Sequence, residues 1–211
     1  MLRVILFGAP GCGKGTQAKL LEQKYGYRQI STGDLIRVEI KTRSSIGEKV
    51  KSMVDAGQYV PDEIMIELVK NRVHQPDIEN GYIMDGFPRT FEQAKALSVI
   101  EVDREIAIYL KVKNEDLVVR RIMSRLTCIR CGAIFNTINH PPIKPDICDL
   151  CGGELQRRTD DNEESIKERI RIYQQQTLPV LEFYRQEGVL HEVDASLAVE
   201  DVFAKIEGLL N

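Results

Sequence analysis

The stretch Gly8-Ala9-Pro10-Gly11-Cys12-Gly13-Lys14-Gly15-Thr16 carries the residue types of a phosphate-binding loop. Such loops follow the pattern G-x-x-x-x-G-K-[ST]. Their backbone N–H groups wrap a phosphate, the lysine adds a charge, and the final hydroxyl reaches magnesium. Gly8 to Lys14 fits the pattern, but Gly15 stands where the hydroxyl belongs and Thr16 brings it one residue late. Gly11, Cys12, Gly13, Lys14, Gly15 and Thr16 are therefore read as a phosphate cradle at a helix N-terminus, where the helix dipole favours an anion. The metal must find another ligand. Asp85 follows the short apolar run Tyr82-Ile83-Met84 and would project into the same site. Magnesium keeps several waters and needs only one or two carboxylates, so Asp85 could hold the hydrated ion. A turn-forming Asp before Gly86 is the plainer alternative.

Arg37, Arg89, Arg121, Arg125, Arg158 and Arg169 fall near strand ends or in segments that interrupt the regular pattern. Phosphoryl transfer between two nucleotides brings two polyanions together, and cations must neutralise both of them and the moving group. Taken singly, each arginine reads as solvated surface. Six in these places point to a polyphosphate site. No general base stands out, which fits an acceptor that is already an ionised phosphate.

Four of the five cysteines fall as Cys128-x2-Cys131 and Cys148-x2-Cys151. Each pair presents two thiolates from one tight turn, and two such turns complete a zinc tetrahedron without an open position. Gly132 and Gly152, one residue after each pair, suit the bend. Two disulfides are the competing reading, disfavoured in a reducing compartment. His140 lies between the pairs beside Pro141 and Pro142 and reads as a surface residue. Cys12 reads either as a reactive thiol near Lys14 or as a small packed side chain.

The elements that must position these groups are short β-rich runs at 3–7, 28–30, 82–84, 106–111 and 189–193. Helical patterns lie between them at 14–24, 34–41, 45–56, 62–74, 91–99, 114–126, 162–186 and 198–210. Strands alternating with helices predict an α/β fold with a doubly wound five-stranded parallel sheet, its ligands beyond the strands' C-terminal ends. Asp160, Asp161, Glu163 and Glu164 are placed at the start of the long helix, and Pro179 is expected to kink it. Ile166, Ile170, Tyr173, Thr177, Leu181 and Tyr184 form a stripe read as plain core. The expected division is a core of residues 1–30, 61–126 and 160–211, a helical insertion at 31–60, and a small metal-bearing module at 127–159. That module is read as too short and Pro-rich to bury a core of its own.

With 211 residues, 43% of them hydrophobic and 29% charged, the chain reads as a soluble globular protein, and its net charge of −3 argues against nucleic acid or an anionic membrane as partner. No apolar run approaches the roughly 20 residues that span a bilayer, so a cytoplasmic location is expected.

Taken together, GAPGCGKGT, Ser31–Arg37 (STGDLIR), Asp85–Thr90 (DGFPRT) and Arg157–Asp161 (RRTDD) resemble the adenylate kinases, over essentially the whole chain. The likeness is to the long-lid form of that P-loop kinase family, whose lid carries a zinc site. It implies a monomer that binds ATP, AMP and ADP, uses Mg2+ with ATP, and holds structural Zn2+ through Cys128, Cys131, Cys148 and Cys151. It further implies that Gly11 through Thr16 hold ATP phosphates and that Asp85 organises hydrated magnesium. Thr32, Arg37, Gln58, Tyr59, Val60, Gly86, Phe87, Pro88, Arg89 and Gln93 would bind AMP, Arg89 gripping its phosphate and Gln93 reading adenine. Arg121, Ile134, Phe135 and the backbone of Leu197 would meet the ATP base. Lys14, Arg125, Arg158 and Arg169 would surround the transferring phosphoryl group, the last two also touching AMP. Three positions depart from the family pattern: Cys12 for Ala or Ser, Phe91 for an aliphatic residue, and Asp194-Ala195-Ser196 for Asp-Gly-Thr or Asp-Gly-Ser.

Two rivals follow from the same residues. One is a nucleoside monophosphate kinase with another acceptor base. The other is a zinc-ribbon protein that binds nucleic acid and uses its nucleotide as a switch. Charge weighs against the second: residues 127–160 balance four basic side chains against four acidic ones and offer no basic patch.

Overall fold

The computed structural model describes residues 1–138 and 140–210. In chain order its first half is β1 (Leu2–Phe7), α1 (Lys14–Tyr25), β2 (Arg28–Ser31), α2 (Thr32–Lys41), α3 (Ser45–Asp55), α4 (Asp62–Val73), β3 (Tyr82–Asp85), α5 (Phe91–Ser98) and β4 (Arg104–Lys111). There follow α6 (Glu115–Met123), β5 (Arg125–Cys128), β6 (Ile134–Asn136), β7 (Leu155–Gln156), α7 (Glu163–Ile172), α8 (Val180–Gln186), β8 (Leu190–Asp194) and α9 (Val199–Leu210).

Five strands form one parallel sheet in the order β2-β3-β1-β4-β8. The continuous apolar run Val4–Phe7 is explained by burial on both faces, as parallel strands require. Val4 and Leu6 face one core with Ile83, Ile108, Ala18, Leu21 and Ile206. Ile5 and Phe7 face the other with Met84, Leu97, Val69 and Tyr184. Leu21 is fully buried, and truncating such a side chain to Ala costs about 2–5 kcal/mol. The register sets Leu6 and Ser31 both opposite Asp85, so the ends of β1, β2 and β3 converge on one edge. That edge carries the glycine loop.

Several expectations are corrected. The helix expected over 114–126 stops at Met123, because Arg125 to Cys128 pair as a strand. The cysteine module has more order of its own than its length and prolines suggested: β5 lies between β6 and β7 in an antiparallel sheet. It also buries a small core of Leu126, Cys128, Ala133, Phe135, Cys148 and Leu155. The long helix is not continuous. It passes through a π-helical turn, Tyr173–Thr177, before α8. Leu178 donates its N–H to the carbonyl of Tyr173 five residues back, at 2.9 Å. Pro179 follows with no N–H to give, which is why the widened turn falls there. Asp160 and Asp161 also lie outside the helix, which Asn162 caps by accepting from the N–H of Ser165 at 3.0 Å.

Candidate active site

Gly11 and Gly13 hold left-handed backbone, φ 76° and 108°, which turns the chain from β1 into α1. No side chain caps α1 and no acidic residue lies in its first turn, so the positive end of the helix is left for an anion. Lys14 folds back across the loop, donating to the carbonyls of Gly8 at 2.7 Å and Ala9 at 3.0 Å. Cys12 is 2% exposed and packs with the core beneath, as the packed reading expects, while Lys14 Nζ lies 3.7 Å from its sulfur. Asp85 stands beside Gly15: a Cβ there would lie 3.4 Å from its Oδ2, and Gln29 Nε2 donates to the same oxygen at 2.9 Å. The carboxylate therefore occupies the neighbourhood that the missing hydroxyl would have served.

A cavity of about 890 Å³ joins this loop to every residue that the sequence assigned to nucleotide or magnesium except Phe87, and the four paired cysteines lie outside it. Phe87 is 2% exposed and belongs to the core. Four arginines converge on the cavity from different elements. Arg125, at the start of β5, forms a fork onto Asp161, with Nε 2.8 Å from Oδ2, and Arg169 of α7 reaches Asp161 Oδ1 at 3.3 Å and Asp160 Oδ2 at 3.2 Å. Arg37 of α2 pairs with Asp34 Oδ1 at 2.6 Å. Burial raises the Asp34 carboxyl, but Arg37 and then Arg158 outweigh it and hold the group below the usual carboxylate range. Arg158 has the thinnest support, a bond from Nε to Thr127 Oγ1 at 3.1 Å. Burial first, then the charges of Arg125 and Arg37, push its pKa down to about 9. It stays a cation at neutral pH, but one that the folded chain leaves under-compensated. A polyanion in the cavity would relieve this.

Around the Gly86–Arg89 turn, Thr32 is 1% exposed and donates to the carbonyl of Gly86 at 2.9 Å. Arg89 donates Nε–H to that same carbonyl at 2.7 Å, and its guanidinium lies 4.8 Å from the centre of the Tyr59 ring. Gln93 accepts from the N–H of Arg89 at 2.8 Å and donates to Asp62 at 2.7 Å. Its amide thus shapes the Arg89 turn, with one N–H and one lone pair remaining for a base. At the other end, Arg121 donates to the carbonyl of Ala195 at 2.9 Å, fixing the segment that departs from the family pattern and bringing Leu197 to the cavity. Ile134 of β6 reaches across to Gly15, while Phe135 beside it belongs to the small core of the cysteine module and stacks on His140 at 5.4 Å. His140 keeps away from the cysteines.

The four cysteine sulfurs lie within 4.8 Å of one another. Cys128 and Cys151 are 3.5 Å apart and Cys131 and Cys148 3.6 Å. These spacings exceed a disulfide bond of about 2.05 Å. They approach the edge, roughly 3.8 Å, of a tetrahedron with Zn–S near 2.3 Å. The two turns repeat each other: Gly132 donates to Cys128 O at 3.0 Å and Gly152 to Cys148 O at 2.8 Å. Burial raises the Cys128 thiol, but N–H groups of Cys131 and Arg130 aimed at its sulfur outweigh it and lower the group, while burial pushes the neighbouring Cys131 thiol up to about 12.

The model of the family described as adenylate kinase matches residues 6–189. The adenylate kinase of Archaeoglobus fulgidus is 46% identical over 99% of this chain and 98% of its own length. Those of Clostridium beijerinckii and Methanosarcina barkeri are 44% and 42% identical, each over 99% of this chain and 98% of their own. The chain belongs to the adenylate kinase family.

That family comprises nucleoside monophosphate kinases. The positions missed from the sequence of this adenylate kinase homologue are those that act through a partner. Asp160 and Asp161 were visible only as helix-start charges, yet Asp161 is 3% exposed and bonded to two arginines. Gln29, Asp62 and Thr177 were not assigned to the site, because their partners come from other elements, whereas Asp34 pairs with Arg37 one helical turn on and was open to a local reading.

Proposed function

We propose that the chain catalyses reversible transfer of the γ-phosphoryl group of Mg-ATP to AMP, giving two ADP. The observation that carries this reading is one cavity joining the Lys14 loop to the Arg89 turn, with Arg125, Arg158 and Arg169 within electrostatic reach of one another. Lys14 and the N–H groups of Gly11 to Thr16 hold the donor phosphates. Arg89 grips the acceptor phosphate, with Thr32, Arg37 and the 58–60 segment around the nucleotide. The acceptor oxygen is already ionised, so no side chain needs to remove a proton. Arg125, Arg158 and Arg169 offset the charge that spreads over the moving group, in a site where such charges act strongly. Magnesium, held through water by Asp85, would neutralise phosphate oxygens of the donor. Arg121 and Phe135 would sandwich the donor base.

Residues 31–60 and 127–159 act in this reading as two flaps on the core, which exclude water that would otherwise accept the phosphoryl group. Zinc on the four cysteines orders the second flap and has no open position for chemistry. The enzyme is read as a cytoplasmic monomer. The test is a comparison of AMP, UMP, CMP and GMP as acceptors with Mg-ATP. ADP should form fastest with AMP, and absence of AMP-dependent ADP would overturn the reading.

A further inference from the structure

We infer that Thr177 is a positioning residue for Arg89, through a relay of two hydroxyls that starts at Tyr59. Thr177 is 5% exposed and sits in the π-helical turn after α7. Its Oγ1 donates to the backbone carbonyl of Arg89 at 3.0 Å and lies 2.9 Å from the hydroxyl of Tyr59. A threonine hydroxyl has one proton, and a carbonyl can only accept. The proton of Thr177 therefore points to Arg89, and Tyr59 must be the donor in the other bond. The relay runs from the Tyr59 hydroxyl to Thr177 Oγ1, and from there to the Arg89 carbonyl.

Tyr59 and Arg89 also meet directly, ring face against guanidinium at 4.8 Å. The Arg89 backbone is thus held on its N–H side by Gln93 and on its carbonyl side by Thr177, while Tyr59 supports the side chain. Thr177 links the end of the 31–60 insertion to the acceptor turn, and it does so from the turn that follows α7, whose last turn carries Arg169. Tyr173 and Thr177 are both buried while Gln174, Gln175 and Gln176 between them are exposed, so the hydroxyl lies on the inward face of the turn, toward Arg89.

This inference rests on the acceptor role proposed for Arg89, so the wild-type acceptor comparison comes first. If another nucleoside monophosphate proves the better acceptor, the same measurement uses that one, because Arg89 grips the phosphate common to all. Thr177→Val keeps the shape and deletes the hydroxyl. It should raise the KM for AMP about tenfold, the effect of leaving a buried carbonyl and a tyrosine hydroxyl unmet, with the KM for ATP within about twofold. Thr177→Ser keeps the hydroxyl, loses the methyl, and should stay within about threefold of wild type in both. A packing role predicts the reverse order, with Ser worse than Val. Tyr59→Phe retains the ring under Arg89 and should raise the KM for AMP without adding to the effect of Thr177→Val. Should the Val variant fail to fold, Tyr59→Phe alone carries the same test. Equal rises in both KM values, Ser worse than Val, or additive Tyr59 and Thr177 effects would each overturn the relay.

Discussion

Ile134 and Gly15 touch across the mouth of the site: a Cβ built on Gly15 would come within 2.9 Å of Ile134 Cδ1. The glycine after the lysine therefore serves two neighbours. It leaves Asp85 room beside the loop, and it gives β6 a seat on the nucleotide cradle.

The first prediction concerns that seat. Gly15→Ala should lower kcat/KM between about 10- and 100-fold, since small displacements of a closing element misalign the reacting groups. Adding Ile134→Val, which removes the offending methyl, should recover part of the loss. Gly15→Ser restores the ordinary loop hydroxyl and should still be impaired. A Ser variant faster than wild type in steady-state assays would refute the seat.

Lys14→Ala, Arg89→Ala and Arg125→Ala each remove a cation that counts mainly as charge spreads in the transition state. Each should reduce kcat/KM by roughly 100-fold or more. Arg125→Ala also strips Asp161 of a forked partner and leaves it to Arg169 alone, so its melting temperature should fall as well. Near-normal turnover in all three purified variants would remove the phosphoryl-transfer assignment.

Arg158 should trade stability for function. Its folded pKa, about 9, lies below the ordinary value of 12.5, so the folded state binds the proton less tightly than the unfolded one. Below about pH 9 both states hold the proton and the penalty is complete; it is relieved only as pH rises from there. Arg158→Gln should accordingly raise the melting temperature of the ligand-free protein, by the same amount at about pH 6 and pH 8. It should also shrink the stabilisation given by a dinucleotide bisubstrate analogue. A lower melting temperature in the absence of ligand would contradict this.

For the cysteine cluster, elemental analysis should find about one zinc per chain. Cys148→Ser with Cys151→Ser should abolish metal binding and lower the melting temperature, with much of the activity kept at modest temperature. Loss of all activity in a folded, zinc-free protein would place the metal in the chemistry instead.

Cys12 should resist alkylation in the folded protein, being buried under the loop against Leu110 and Gly8. Cys12→Ala should keep near-wild-type turnover, and mass spectrometry should find the thiol unmodified until the protein is unfolded. Rapid modification that ATP blocks would restore the reactive reading.

The sequence by itself determined whatever is written in neighbouring residues. The glycine loop, the apolar run before it and the two Cys-x2-Cys turns are local patterns, fixed by backbone geometry and two-sided burial. The alternation of strands and helices set the layers, and the strand ends located the cavity. Side-chain partnership was decided only by the tertiary structure. Arg125 meets Asp161 from 36 residues away, and Thr177 meets Arg89 from 88. No periodicity encodes such pairs, because their distance depends on how whole elements pack. The Thr177 hydroxyl shows the limit most clearly. On a helical stripe it read as core, and core it is, but from the widened turn before Pro179 it gives its one proton to the backbone of Arg89.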